Sequence, residues 1–386
     1  MTGTAAQKFN TLELGRFVAA MLVVFCHAAP ETSIHAAAPD GPIFGGIVFP
    51  GPLGVQFFFV LSGFVMVCAH HADFGHSAAI PKFWWRRVCR IYPAYWLALL
   101  ILVYYLHGGM TPGITLHLVS LEPGLMGPHF NQEYIPAVWS MRYELAFYII
   151  LGLGMLPYIG KPLLGAWMFL TYWRWCWRWF PFTVMPVHPG WLLAANGFFA
   201  LHAPDFVDFY QLYFMAGLAV GLLFIRRKLT ARLWGVLAVA GAVVLVLLLP
   251  GEGWGITYGT PLHSVFMALA LASLIGGLAG LERCSVLRLG GWAAWLGAMS
   301  YPLYVFHMPL LLLAAHVLPL GLFHGGLLYL HFSLTIGYIL LVSALVTVLF
   351  DQPVQRALRR LTRRIWREPA AAMPVLAPLY SSNPNH

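Results

Sequence analysis

Apolar runs long enough to cross a bilayer recur along the whole chain, near residues 11–29, 52–70, 92–107, 138–157, 163–181, 208–225, 233–250, 261–280, 294–318 and 327–350. About 20 helical residues span a hydrocarbon core, and within it only helices and closed barrels satisfy their own backbone polar groups. The pattern predicts an all-α, polytopic transmembrane helix bundle of about ten spans. Composition agrees: of 386 residues 60% are hydrophobic and only 9% charged, and the mean hydropathy is +0.76. Fifteen Trp and 17 Tyr can supply the aromatic belts at the two interfaces. The fifth run is the weakest. Its Trp173–Trp179 stretch interleaves tryptophans with Arg174, Cys176 and Arg178, which suits an interface, and residues 190–202 offer a re-entrant or separate segment instead.

Charge placement sets the expected orientation. The formal charge of +9 could suggest nucleic acid, but the basic residues lie between and beside apolar runs. Lys8, Lys82 to Arg90, Lys161, Arg226 to Arg232, Arg283 with Arg288, and Arg356 to Arg367 fall on alternate loops, hence on the cytoplasmic side. The opposite side carries Arg142, Arg174 and Arg178. An even number of spans with both termini cytoplasmic satisfies this. Lys8 followed by an apolar stretch ending at Ala28 and Ala29 resembles a signal peptide, but Arg16 interrupts it and the loop phasing needs a first span there. Five cysteines form neither a disulfide framework nor a zinc pattern. Residues 1–353 read as one membrane domain and residues 369–386 as a disordered tail. Residues 354–368 read as a basic amphipathic cytoplasmic helix, with arginines opposite Leu358, Leu361 and Ile365, lipid headgroups as its expected contact and a phosphorylated donor as the alternative.

The polar residues inside the apolar runs mark the candidate site, because an ionisable group at mid-bilayer is costly and usually faces a polar cavity. Arg16 and His27 share the first run; 11 helical residues place them on one face, about 16 Å apart in depth. An arginine there calls for an anion or carboxylate, and Glu13, one turn earlier, is a local competitor. At the mouth of the third span, Arg86, Arg87 and Arg90 lie among Phe83, Trp84, Trp85 and Tyr92. That set could hold phosphates and stack on a base, or serve orientation alone. Glu144 follows Trp139 and Ser140 into the fourth run, where it could orient an imidazole for general-base chemistry or pair with Arg142. Ser300 and His307 share a face in the ninth run, and Tyr304 could bond the imidazole. Ser62 lacks a nucleophile-elbow context and reads as a helix-packing residue. Cys26 points about 100° away from His27, and no metalloprotease, phosphate-loop or metal-ligand spacing occurs.

Five of these groups in order resemble the acyltransferase-3 family of integral membrane acyltransferases, specifically its stand-alone bacterial members. They are Arg16-Phe17-x-Ala19-Ala20 leading to His27; Phe57-Phe58 with Leu61-Ser62-Gly63-Phe64; Arg87-x-x-Arg90-Ile91-Tyr92-Pro93; Trp139-Ser140-x-x-x-Glu144; and Ser300-Tyr301-x-x-Tyr304-x-x-His307. The resemblance implies a membrane O-acyltransferase that moves an acyl group, by default acetyl, from cytoplasmic acetyl-CoA or another acyl-CoA. The acceptor would be a hydroxyl of an envelope or exported glycan such as exopolysaccharide, or of a lipid-linked sugar. His27 would be the general base with Glu144 beside it, and Arg16, Arg86, Arg87, Arg90 and Tyr92 would bind the donor. Ser62, Trp139, Ser140, Ser300, Tyr301, Tyr304 and His307 are further candidates. The implied setting is the bacterial cytoplasmic (inner) membrane, with membrane lipids and polysaccharide export machinery as partners and no nucleic acid, metal or bound cofactor. The competing expectation is a transporter or flippase in which the same groups line a polar pathway.

Overall fold

The structure, a computed structural model, describes residues 9–35, 43–47, 49–106, 119–121, 139–179, 204–252, 261–318, 323 and 325–367. These residues are helical throughout their long elements: α1 (Asn10–His35), α2 (Gly51–His70), α3 (Ile80–Leu106), α4 (Trp139–Leu153), α5 (Gly160–Trp179), α6 (Gln211–Arg226), α7 (Ala231–Glu252), α8 (Pro261–Arg283), α9 (Gly291–Val317) and α10 (Leu327–Val346). A π-helical turn, Thr347–Asp351, leads into α11 (Gln352–Ile365). Among the described residues six segments are long and apolar enough to cross a membrane: Asn10–Pro30, Gly51–Asp73, Ala231–Leu249, His263–Arg283, Gly291–Val317 and Leu327–Ile365. The described residues are all-helical, and the protein is a multi-pass membrane protein. The remaining expected positions also carry helices, α3 to α6, which are shorter or more polar than a self-sufficient span. The alternative segment at 190–202 and the tail at 369–386 lie outside the described residues.

Helices α1, α2 and α9 form the centre, with α1 antiparallel to α2 and parallel to α9. Gly51 lies against Cys26 and Gly54 against Ala19, while Gly297 lies against Glu13. The crossing of α2 and α6 depends on small residues. A Cβ on Gly217 would sit 2.0 Å from the Val60 carbonyl oxygen, and one on Gly63 would sit 2.2 Å from that of Phe214. Within a membrane such close backbone approach supplies the van der Waals attraction that replaces hydrophobic driving force. Beyond this crossing, Phe59, Phe214 and Phe147 stack at 4.6 and 4.2 Å and tie α4 to the same centre.

One end of the bundle is basic and is fastened by polar contacts between distant segments. The Glu282 carboxylate, at the end of α8, accepts hydrogen bonds from the Asn10 and Thr11 backbone N–H groups at 2.8 and 2.9 Å and from the Thr11 hydroxyl at 2.5 Å. A carboxylate there satisfies the orphan donors of the first turn of α1 and complements its dipole. At the same end α11 lies along α3: the Gln355 side-chain amide donates to the Cys89 carbonyl at 2.9 Å, and the Trp85 indole donates to the Thr362 hydroxyl at 2.9 Å.

Candidate active site

Five helices converge on a cavity of about 130 Å³ in the basic half of the bundle. Arg16 comes from α1, Ser62 from α2, Arg87 from α3, Ser140, Glu144 and Tyr148 from α4, and Tyr301 and Tyr304 from α9. Ser62 and Tyr148 both donate to the same Glu144 oxygen, Oε1, at 3.1 and 2.5 Å. The carboxylate is thereby fixed in position as an acceptor. Tyr148 lies one turn after Glu144, where the i,i+4 relation places both on one face.

The two arginines of the cavity are incompletely satisfied. The Nε–H groups of Arg16 and Arg87 are buried and have no hydrogen-bond partner among the described residues. Arg16 approaches Glu13 only to 3.9 Å, beyond hydrogen-bonding distance. The Arg87 guanidinium lies over the Phe83 and Tyr148 rings, 5.9 and 5.6 Å from their centroids. A buried donor left unpaired costs about 1–3 kcal/mol, so this cavity is suited to an anionic or carbonyl acceptor.

Deeper in the bundle, the His27 and His307 rings lie side by side with centroids 5.3 Å apart. His307 is fully buried. Its Nδ1 is 2.6 Å from the Tyr304 carbonyl oxygen, which can only accept, so the proton of the neutral ring sits on Nδ1. Nε2 of His307 therefore carries a lone pair, and it is buried without a partner among the described residues. Tyr304 links the two regions: its ring lines the cavity and lies 5.9 Å from that of His307, while its hydroxyl is 2.5 Å from the Ser140 hydroxyl.

The structure thus gathers Arg16, Ser62, Arg87, Ser140, Glu144, Tyr301 and Tyr304 around one cavity, and His27 with His307 beside it. It does not pair Glu144 with His27: the carboxylate is held by Ser62 and Tyr148, and the ring facing His27 is His307. Nor does Glu144 pair with Arg142. Two positions apart on a helix they point about 200° apart, and Arg142 turns to Asp205 at 2.8 Å, with both side chains buried. Arg142, counted from sequence among the charges of an outer loop, is an interior residue. Arg90 is 3.5 Å from Asp351 and lies over the Tyr301 ring at 4.8 Å, so it is partnered at the rim. Arg86 is half-buried on the same helix.

The other candidates have structural partners. Tyr92 donates its hydroxyl to the Ser120 carbonyl, Ser300 donates back to Gly297 at 2.6 Å, and Tyr301 donates to the Ile91 carbonyl at 2.6 Å. Trp139 packs against Tyr143 and Tyr210 at 5.9 and 5.0 Å. Sequence reasoning missed Tyr148, whose signal was its place one turn after Glu144. It also missed Asp205 as the counter-charge of Arg142, for which the sequence separation leaves no signal.

The fold and the site define a multi-pass membrane protein with a polar, arginine-containing cavity between its helices. The profile of the acyltransferase domain matches residues 9–350, and the chain belongs to the acyltransferase-3 family. It is similar to acyltransferase MdmB of Streptomyces mycarofaciens, at 29% identity over 144 residues, which is 35% of this chain and 36% of that protein. The chain thus aligns with only about a third of that relative's length. No solved structure matches it.

Proposed function

We propose that this protein is an O-acyltransferase of a bacterial cytoplasmic membrane that moves an acyl group, by default acetyl, from acyl-CoA to a hydroxyl of an envelope or exported glycan. The observation that carries the reading is the cavity in which the Nε–H groups of Arg16 and Arg87, without partners among the described residues, line the same space as Glu144, Ser62 and Tyr148, with His27 and His307 beyond Tyr304. The bundle has ten spans in this reading, and its basic end faces the cytoplasm, as the loop charges require. The phosphates of the donor rest at that face on Arg86, Arg87 and Arg90. Arg16 meets a phosphate or an amide carbonyl of the pantetheine arm, which extends toward the histidines. Binding energy gathered at the arginines then positions the thioester.

His27 takes the proton of the acceptor hydroxyl as its oxygen attacks the thioester carbonyl. The C–O bond forms, the C–S bond breaks, and the proton on His27 passes to the departing thiolate. His307, with its proton on Nδ1, turns a lone pair into the interior and can accept an N–H bond from an adjacent group, so that a tautomer with the lone pair of His27 toward the acceptor is favoured. The histidine pair takes the orienting role that sequence assigned to Glu144. Glu144 instead balances the charge of the cavity arginines.

The test is transfer of label from radiolabelled acetyl-CoA, supplied at the cytoplasmic face of membrane vesicles, into glycan or lipid. With His27→Ala at matched abundance, transfer falls to background. Undiminished transfer removes His27 from the mechanism. Absence of wild-type transfer with acceptor present overturns the acetyl-CoA reading and brings the transporter reading forward.

A further inference from the structure

Helix α11 is attached to the bundle in an unusual way for an amphipathic helix. The face it buries is polar: Gln355 and Thr362 are buried and bond to α3, and Asp351, just before the helix, is buried against Arg90. Two of its apolar residues are left outside, with Leu361 43% and Ile365 52% exposed, and Leu358 is half-buried. Between Gln352 and Ile365 it carries five arginines and no acidic residue. Of these Arg356, Arg359, Arg360 and Arg364 are exposed and Arg363 half-buried.

Helical geometry sorts these residues into three sectors. Taking the Gln355–Thr362 stripe as zero, Leu358, Leu361 and Ile365 fall about 60–120° to one side, and the arginines about 40–180° to the other. The helix continues from α10, whose 20 residues already span about 30 Å, so within the segment Leu327–Ile365 its apolar edge is at the level where hydrocarbon ends. No residue of α11 lines the cavity. Arg90 on the neighbouring helix is paired with Asp351, whereas α11 itself carries five arginines and no acidic residue, a concentration of like charge that calls for external anions. An exposed apolar edge, a basic edge opposite and a position continuous with a span together match the chemistry of an anionic leaflet.

We propose that the basic edge of α11 is a binding site for anionic phospholipid headgroups, with Leu361 and Ile365 embedded among the acyl chains, and that bound lipid holds α11 against α3 at the rim of the cavity. The site does not depend on the acyltransfer reading.

Purified full-length protein is exchanged into detergent with equal phosphatidylglycerol and phosphatidylcholine, and retained lipid is counted by native mass spectrometry. The wild type retains phosphatidylglycerol preferentially. Combined Arg360→Gln, Arg363→Gln and Arg364→Gln lowers that retention by about tenfold or more, whereas Arg226→Gln, Arg227→Gln and Lys228→Gln together, at the same end, leave most of it. Lysine at the three α11 positions preserves retention and keeps the test valid if the glutamine variant unfolds. Added coenzyme A leaves the retained phosphatidylglycerol in place. Retention unchanged in the glutamine variant, or displacement of the lipid by coenzyme A, overturns the proposal, the latter by making the edge a nucleotide-phosphate site.

Discussion

Helices α7 and α9 cross the same bundle but invert the usual relation between apolarity and burial. The most apolar window of α7 has a mean hydropathy of 2.4 and is 22% buried; that of α9 has 1.4 and is 67% buried. In water the more apolar helix would be inside. In lipid nothing penalises an exposed valine, and α7 turns Val239, Val243, Val246 and Leu247 outward. Helix α9 buries Ser300, Tyr304 and His307, groups that lipid cannot satisfy and the protein can. The site is therefore found among the less apolar helices, and stability in the interior depends on specific partners while that of the periphery depends on the solvent.

The sharpest way to break this comparison is to remove one partner of an interior ion pair. Arg142→Ala leaves Asp205 buried without its 2.8 Å partner, and the loss should be about 3–5 kcal/mol of stability. It would be read as a lowered unfolding midpoint and reduced yield of purified protein. Replacing both together, Arg142→Met with Asp205→Leu, should recover most of the loss, because the uncompensated charge is gone. A double variant as unstable as the single one would mean that the ion pair holds a geometry which apolar residues cannot reproduce.

A smaller effect is expected where the interior is held by contact alone. At Gly217 an added Cβ would lie 2.0 Å from the Val60 carbonyl oxygen, against backbone that cannot yield as a flexible side chain would. Gly217→Ala should separate α2 from α6 and destabilise by about 1–3 kcal/mol. Since α2 contributes Ser62 to the hydrogen bonds on Glu144, the proposed function predicts that the substitution also weakens donor use, seen as a raised KM for the proposed donor in the transfer assay.

The same contrast explains how much could be read from sequence. Apolar runs report the medium, and helices stand at all the expected positions; even the weak fifth run is the helix Gly160–Trp179. The spacing of Arg16 and His27 on one face is a local property and needs no tertiary information. Partner choice is different. The pairing of Glu144 with Arg142, open in the sequence, is one that helical geometry alone argues against, but nothing local could point to Asp205, more than sixty residues away, or to His307 rather than Glu144 as the neighbour of His27. Nothing in the last apolar run marks Asp351, at its end, as the buried counter-charge of Arg90. Interior polar groups are decoded by packing, and packing between spans leaves almost no trace in any one run.

The smallest effect, and one of opposite sign, belongs to the periphery. Gly235 lies near the start of α7, and a Cβ there would have as its nearest neighbour the Leu281 Cδ2 atom at 3.8 Å, an ordinary contact. Alanine relieves the backbone entropy that glycine gives up on entering a helix, so Gly235→Ala should stabilise by about 0.5–1 kcal/mol. It should leave transfer unchanged, because α7 contributes no residue to the cavity. The measurement is the unfolding midpoint of the Gly235→Ala protein beside that of Gly217→Ala in one detergent. Opposite shifts support a periphery that answers to helix propensity and an interior that answers to fit. A loss at Gly235 comparable to that at Gly217 would place a second, unseen surface against α7, and its exposed valines would then be a protein interface and not a lipid-facing wall.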